Sequence, residues 1–158
     1  MSTLLARLKA GEVIVGDGSY VFTLEKRGYV KAGKFTPEAA CEHPDAVRQL
    51  AREFARAGAD VTQTFTYGST EGKLEGCSFS AEEINEAACD IARGVARESG
   101  TLVAGGITQT KAYTYQQVKD KALVQKEILH NAEVLIKNKV DFIILEVKSC
   151  ISYPLSLS

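Results

Sequence analysis

Two acidic residues, Asp17 and Glu146, each stand where an apolar stretch gives way to a turn, and a polar pair, Gln63-Thr64, stands at a third such exit. Asp17 lies between Gly16 and Gly18, which admit backbone angles and close approaches that a side chain would block, so its carboxylate or carbonyl can be offered to a ligand. On local grounds alone an ordinary turn aspartate explains the same residues. If Asp17 and Glu146 share a site, two carboxylates could serve as an acid–base pair. The thiols suggest less. Cys41, Cys77, Cys89 and Cys150 form no Cys-x-x-Cys pair, and His43 and His130 sit at no ligand spacing to them, so no complete zinc site is expected within this chain. Cys89 falls in a helical apolar stripe, where a small core thiol is the expected role. His43 precedes Pro44 and reads as a helix-entry residue, and His130 as a solvated or packing one.

The elements that must position these residues follow from periodicity. Val13-Ile14-Val15 is β-branched and apolar on both faces, which predicts a buried parallel strand running into the Asp17 turn. A short helical piece is expected around Phe22–Lys26, a helix start at Thr36-Pro37-Glu38 with Thr36 as N-cap, and a second start at His43-Pro44. Val47, Leu50, Ala51, Phe54 and Ala57 recur at helical spacing until Gly58. Residues 60–66 read as a second strand, and Tyr67 to Phe79 as a loop. Ser80-Ala81-Glu82-Glu83 is a capping box opening a helix that ends near Gly100. A third strand, 101–107, runs into Gly105-Gly106. A helix is expected over Gln116 to about Asn138 with Leu123, Ile128, Ala132, Leu135 and Ile136 inward, then a fourth strand over 140–146.

Strands alternating with helices imply four parallel strands with crossover helices, an α/β fold. Polar or glycine residues gather at the strand exits, and in α/β architectures ligands bind at those ends. There is no Gly-x-Gly-x-x-Gly fingerprint and no phosphate loop, which weakens a nucleotide-binding reading. A closed (β/α)8 barrel needs about 250 residues, so 158 residues would supply its first half.

Charged residues make up 25% of the chain and the net charge is -1, giving no electrostatic reason to expect nucleic acid or an anionic membrane. No apolar run approaches the ~20 residues that span a bilayer. The amphipathic start, Met1 to Lys9, lacks a secretory signature, and the composition favours reduced thiols and a cytoplasmic location.

Several longer motifs occur in order: Gly16-Asp17-Gly18, Leu24 to Gly33, Thr36 to Ala40, Glu42-His43-Pro44, Gln63 to Thr66, Asn85 to Ala92 and Val103 to Gly106. Together they resemble the homocysteine-binding, zinc-dependent methyltransferase family, over Leu4 to Glu146. The resemblance implies the first half of a (β/α)8 TIM barrel and transfer of a methyl group from betaine or a related donor to homocysteine, giving methionine. It implies that Asp17, Gly18 and Glu146 hold the amino-acid end of homocysteine, that Gln63 and Thr64 line the same pocket, and that Phe35 and Tyr67 stand near the donor. In that family zinc activates the homocysteine thiol through three cysteines of the later half, none matched here, so no metal ligands are expected in this chain. The likeness divides the chain into 1–146, the half-barrel, and 147–158, a divergent tail like an alternative transcript end or a truncated gene model. A half-barrel leaves open sheet edges, which invite self-association. The same features fit a non-catalytic fragment or regulatory isoform that pairs with another chain.

Overall fold

The computed structural model describes residues 3–31, 36–110, 113–114, 117–118 and 120–146. Phe35 and the expected tail at 147–158 lie outside them. The chain opens with helix α1 (Leu4–Lys9) and helix α2 (Tyr20–Lys26), followed by α3 (Ala39–Glu42) and α4 (Pro44–Arg56). Strand β1 (Val61–Gln63), α5 (Ala81–Ser99) and β2 (Leu102–Thr108) come next. A small antiparallel ladder of β3 (Tyr113–Thr114) and β4 (Gln117–Val118) precedes α6 (Lys121–Lys137) and β5 (Phe142–Glu146).

The main sheet is parallel in the order β1-β2-β5, with Gln63 opposite Ala104 and Thr108 opposite Glu146. Central β2 is buried along its whole length. Because side chains alternate across a strand, its two faces do different work. Val103 packs with Ala92 and Ala96 of α5, and Ile107 packs with Cys89 and Leu135 of α5 and α6. On the other face Leu102 and Ala104 meet Val61, Phe142 and Ile144, with Leu4 and Ile14 against them. The helix side holds a second core, in which Leu24, Val47, Leu50 and Val95 are almost wholly buried.

The expected first strand is overturned: among the described residues the main sheet has three strands, and 13–15 is not one of them. Val13 is 83% exposed and Val15 49% exposed, with only Ile14 packed inward. A side chain stands where a ladder partner would be. Val15 O accepts the Asp60 amide at 2.8 Å, while the Asp60 carboxylate accepts the Val15 amide at 3.0 Å and the Arg7 guanidinium at 2.6 Å. The segment is moored to the start of β1 at one point, which leaves its remaining apolar side chains without cover.

Two helix starts also differ. Thr36 serves the α3 turn through its carbonyl, which accepts the Ala39 amide at 3.2 Å, and its buried hydroxyl has no hydrogen-bond partner among the described residues. Helix α6 begins at Lys121, capped by the Asp120 carboxylate on the Leu123 amide at 2.9 Å, because Gln117–Val118 are taken into the β-ladder. Leu135 is fully buried, but Leu123 and Ile136 are 43% and 65% exposed and not inward as their spacing suggested.

The capping box at Ser80 is present in full: Ser80 Oγ accepts the Glu83 amide at 3.2 Å and Glu83 accepts the Ser80 amide at 2.8 Å. Ser80→Ala is expected to lower unfolding stability by about 1 kcal/mol, read as a fall in the urea midpoint at unchanged slope.

Candidate functional site

The site forms where β1 and β5 end and the turn before α2 folds over them. Asp17, Gly18, Ser19, Tyr20, Val21, Gln63, Thr64, Phe65, Tyr67 and Glu146 line one cavity of about 250 Å³. It is slightly smaller than the usual ligand pocket of about 300–1,000 Å³. The structure thus brings together Asp17, Gly18, Gln63, Thr64, Tyr67 and Glu146, residues separated by up to 129 positions in the chain.

Gln63 is the joint. Its backbone amide donates to Asp17 Oδ2 at 2.8 Å, and its side-chain amide donates to Glu146 Oε1. One residue at the end of β1 therefore fixes two carboxylates that belong to different parts of the chain. The amide needs room above β2, and Gly106 supplies it: a Cβ there would lie 3.0 Å from Gln63 Nε2 and 3.7 Å from Glu146 Oε1.

Beneath the cavity the backbone of β2 is locked. Thr64 Oγ1 accepts the Gly106 amide at 3.0 Å, Thr66 Oγ1 donates to the Gly106 carbonyl at 2.7 Å, and the two hydroxyls lie 3.0 Å apart. The hydroxyl of Thr64 thus braces β1 against β2. A second buried ring, Ser69 to Asn85 to Asn131 and back to the Ser69 carbonyl, ties the loop after β1 to α5 and α6. Satisfied networks of this kind hold a loop in one geometry.

Asp17 sits in a mixed environment. Burial raises its carboxyl above the ordinary range and the nearby Glu146 charge adds to that, while the Gln63 amide and Tyr20 hydroxyl favour the ionised form. Two carboxylates around one small cavity suit a cationic group such as an ammonium. Tyr20 and Phe65, which the sequence reading did not place in the site, wall the cavity with rings stacked at 5.4 Å. Tyr20 stands three residues after Asp17 at the start of α2, but Asp17 lies outside the helix, so no helical spacing marks the pair.

Among the described residues, no thiol lines the cavity. Cys89 is buried against Ile107 and Leu135, and burial pushes its thiol up to about 12. Cys41 Sγ rests 3.8 Å from the Glu83 carbonyl, its thiol also raised by burial. No group of three His, Cys, Asp or Glu suited to a metal occurs among the described residues. The donor set here does not fit a zinc ion.

The model of the homocysteine S-methyltransferase family matches residues 14–153. Betaine–homocysteine S-methyltransferase 1 of Pongo abelii is 55% identical over 149 residues, which are 90% of this chain and 36% of that protein. The Danio rerio protein of the same name is 55% identical over 147 residues, with the same coverage. This chain therefore spans about a third of the length of these relatives. Among solved structures, the metallated form of the homocysteine methyltransferase MmuM from Escherichia coli superposes with a TM-score of 0.79 at 21% identity, covering 90% of this chain and 56% of that one. The fold is that of about half of a TIM barrel. With a family match running over most of its length and a cavity built at its strand exits, the chain belongs to the homocysteine S-methyltransferase family.

Proposed function

We propose that this chain carries the amino-acid-holding part of a homocysteine methyltransferase site, with Asp17 and Glu146 receiving the ammonium group. The observation that carries the reading is Gln63, which fixes both carboxylates on one cavity. Gly18 and Thr64 shape its walls, and Tyr67, which lines the same cavity, is assigned to the methyl donor as part of this proposal. In a complete barrel the reaction would move a methyl group from betaine or a related donor to the homocysteine sulfur, giving methionine. Activation of that sulfur by zinc has no ligand set among the described residues, so no transfer step is assigned to this chain alone.

Calorimetry with homocysteine tests the reading. Binding should strengthen as pH rises through the raised Asp17 carboxyl, because only the ionised carboxylate attracts the ammonium. Glu146→Ala should weaken binding about tenfold, the scale of one charge-assisted hydrogen bond. Absence of binding to the wild-type chain, or equal affinity in Glu146→Ala, would sink the assignment.

Partners and location belong to the same proposal. No helix among the described residues is long and apolar enough to cross a membrane, and a cytoplasmic setting fits the reduced thiols. Among the described residues β5 pairs with β2 alone, so its outer edge can recruit another strand. Size-exclusion chromatography is expected to show a dimer or larger species; a stable monomer would count against self-association.

A further inference from the structure

Tyr20 is the one ionisable side chain in the cavity wall that the proposed binding role leaves without a task. The residue is 8% exposed, its ring stacked on Phe65 with 21° between the planes and set edge-on to Phe54 at 5.4 Å and 71°. That packing fixes the ring from two sides and leaves the hydroxyl one direction to point. The hydroxyl donates to Asp17 Oδ2 at 2.9 Å, the same oxygen that accepts the Gln63 amide at 2.8 Å. With Oδ2 taken by two donors, Oδ1 is the oxygen left for a ligand.

We propose that Tyr20 is a positioning residue whose hydroxyl, by donating to Oδ2, orients the Asp17 carboxylate so that its other oxygen meets the ligand's ammonium group. This rests on the reading of Asp17 given above. Burial alone would push Asp17 toward its neutral form, and a neutral acid holds a cation poorly. The groups facing Asp17 are Tyr20 from α2, the uncharged Gln63 from β1 and Glu146 from β5. Of the two titratable ones, Glu146 opposes ionisation and Tyr20 favours it. The phenol itself stays protonated, since burial and the Asp17 charge both raise it far above neutral pH.

Tyr20→Phe removes the hydroxyl and keeps the ring. In the unliganded chain, the Asp17 carboxyl followed by ¹³C NMR, with Asp17→Asn to identify its signal, should titrate about one pH unit higher in Tyr20→Phe than in wild type. Homocysteine affinity against pH should move by the same amount, falling about fivefold at the wild-type midpoint and converging at high pH. Leu135→Val, which loosens the core between α5, α6 and β2 without touching the Tyr20 ring, should leave the midpoint in place. An unchanged Asp17 titration in Tyr20→Phe, or an equal shift in Leu135→Val, would overturn the proposal. Failure of the wild-type chain to bind homocysteine would remove the ammonium role, while the NMR titration would still decide whether Tyr20 governs Asp17.

Discussion

Gly18→Ala is expected to destabilise the chain by about 1–3 kcal/mol, the range for forcing extra volume into a packed region. A Cβ at position 18 would lie 2.5 Å from Phe54 Cε1 and 2.8 Å from Cζ. Either the ring or the Asp17 turn must move. The ring is held edge-on by Tyr20, and Phe54 belongs to α4, whose inner face is packed in the helix-side core. The turn is held by the Gln63 amide on Asp17. The clash therefore reaches both stability and the placement of Asp17. Phe54→Leu in the same chain removes the atoms in conflict and should recover part of the loss, giving a coupling energy of about 1 kcal/mol in a double-mutant cycle. Urea unfolding of the four proteins supplies the cycle. Full stability of Gly18→Ala alone would show that the turn yields freely.

That result bears on what could be read from the residues. Gly16 and Gly18 look alike as a pair flanking Asp17, yet a Cβ at Gly16 would meet nothing within 4 Å, and Gly18 alone lies under a ring. Close approach is a tertiary fact, and no local pattern separates the two. The same limit explains the first strand. Val13-Ile14-Val15 has the composition of a buried strand, but burial needs cover, and the carboxylate of Asp60 takes the Val15 amide where a ladder would form. Elements whose signals are local were legible, among them the Ser80 capping box, the Pro44 helix start and the strand positions of Phe142 to Glu146. The grouping of Gln63 and Glu146 was legible too, because strand exits in this architecture share one face; Asp17 joins them from a turn, held by the Gln63 amide. The part played by Tyr20 was not, since its direction is set by Phe54 and Phe65 from α4 and from the exit of β1.

Gly105 and Gly106 offer the sharpest separation of fold from site. Both lie inside β2, opposite Ile143 and Ile144, and not at its exit. Neighbouring strand residues face opposite ways, so a methyl added at each meets a different part of the molecule. At Gly105 it would lie 2.9 and 3.0 Å from the two terminal carbons of Leu135, a fully buried side chain of α6. Gly105→Ala should therefore cost about 1–3 kcal/mol of stability, and Leu135→Val should relieve part of it. Binding of homocysteine should survive, because the cavity lies on the other face. At Gly106 the methyl would meet Gln63 Nε2 at 3.0 Å and Thr66 Oγ1 at 3.1 Å. The amide of Gln63 can give way, and in doing so it leaves Glu146 without its donor. Gly106→Ala should change stability by less than about 1 kcal/mol and weaken homocysteine binding at least tenfold, the scale of a lost hydrogen bond to a charged group. Thermal unfolding and calorimetry on the two variants read the two effects separately. If Gly105→Ala loses binding while Gly106→Ala keeps it, the cavity lies on the wrong face of β2 and Gln63 is not its joint.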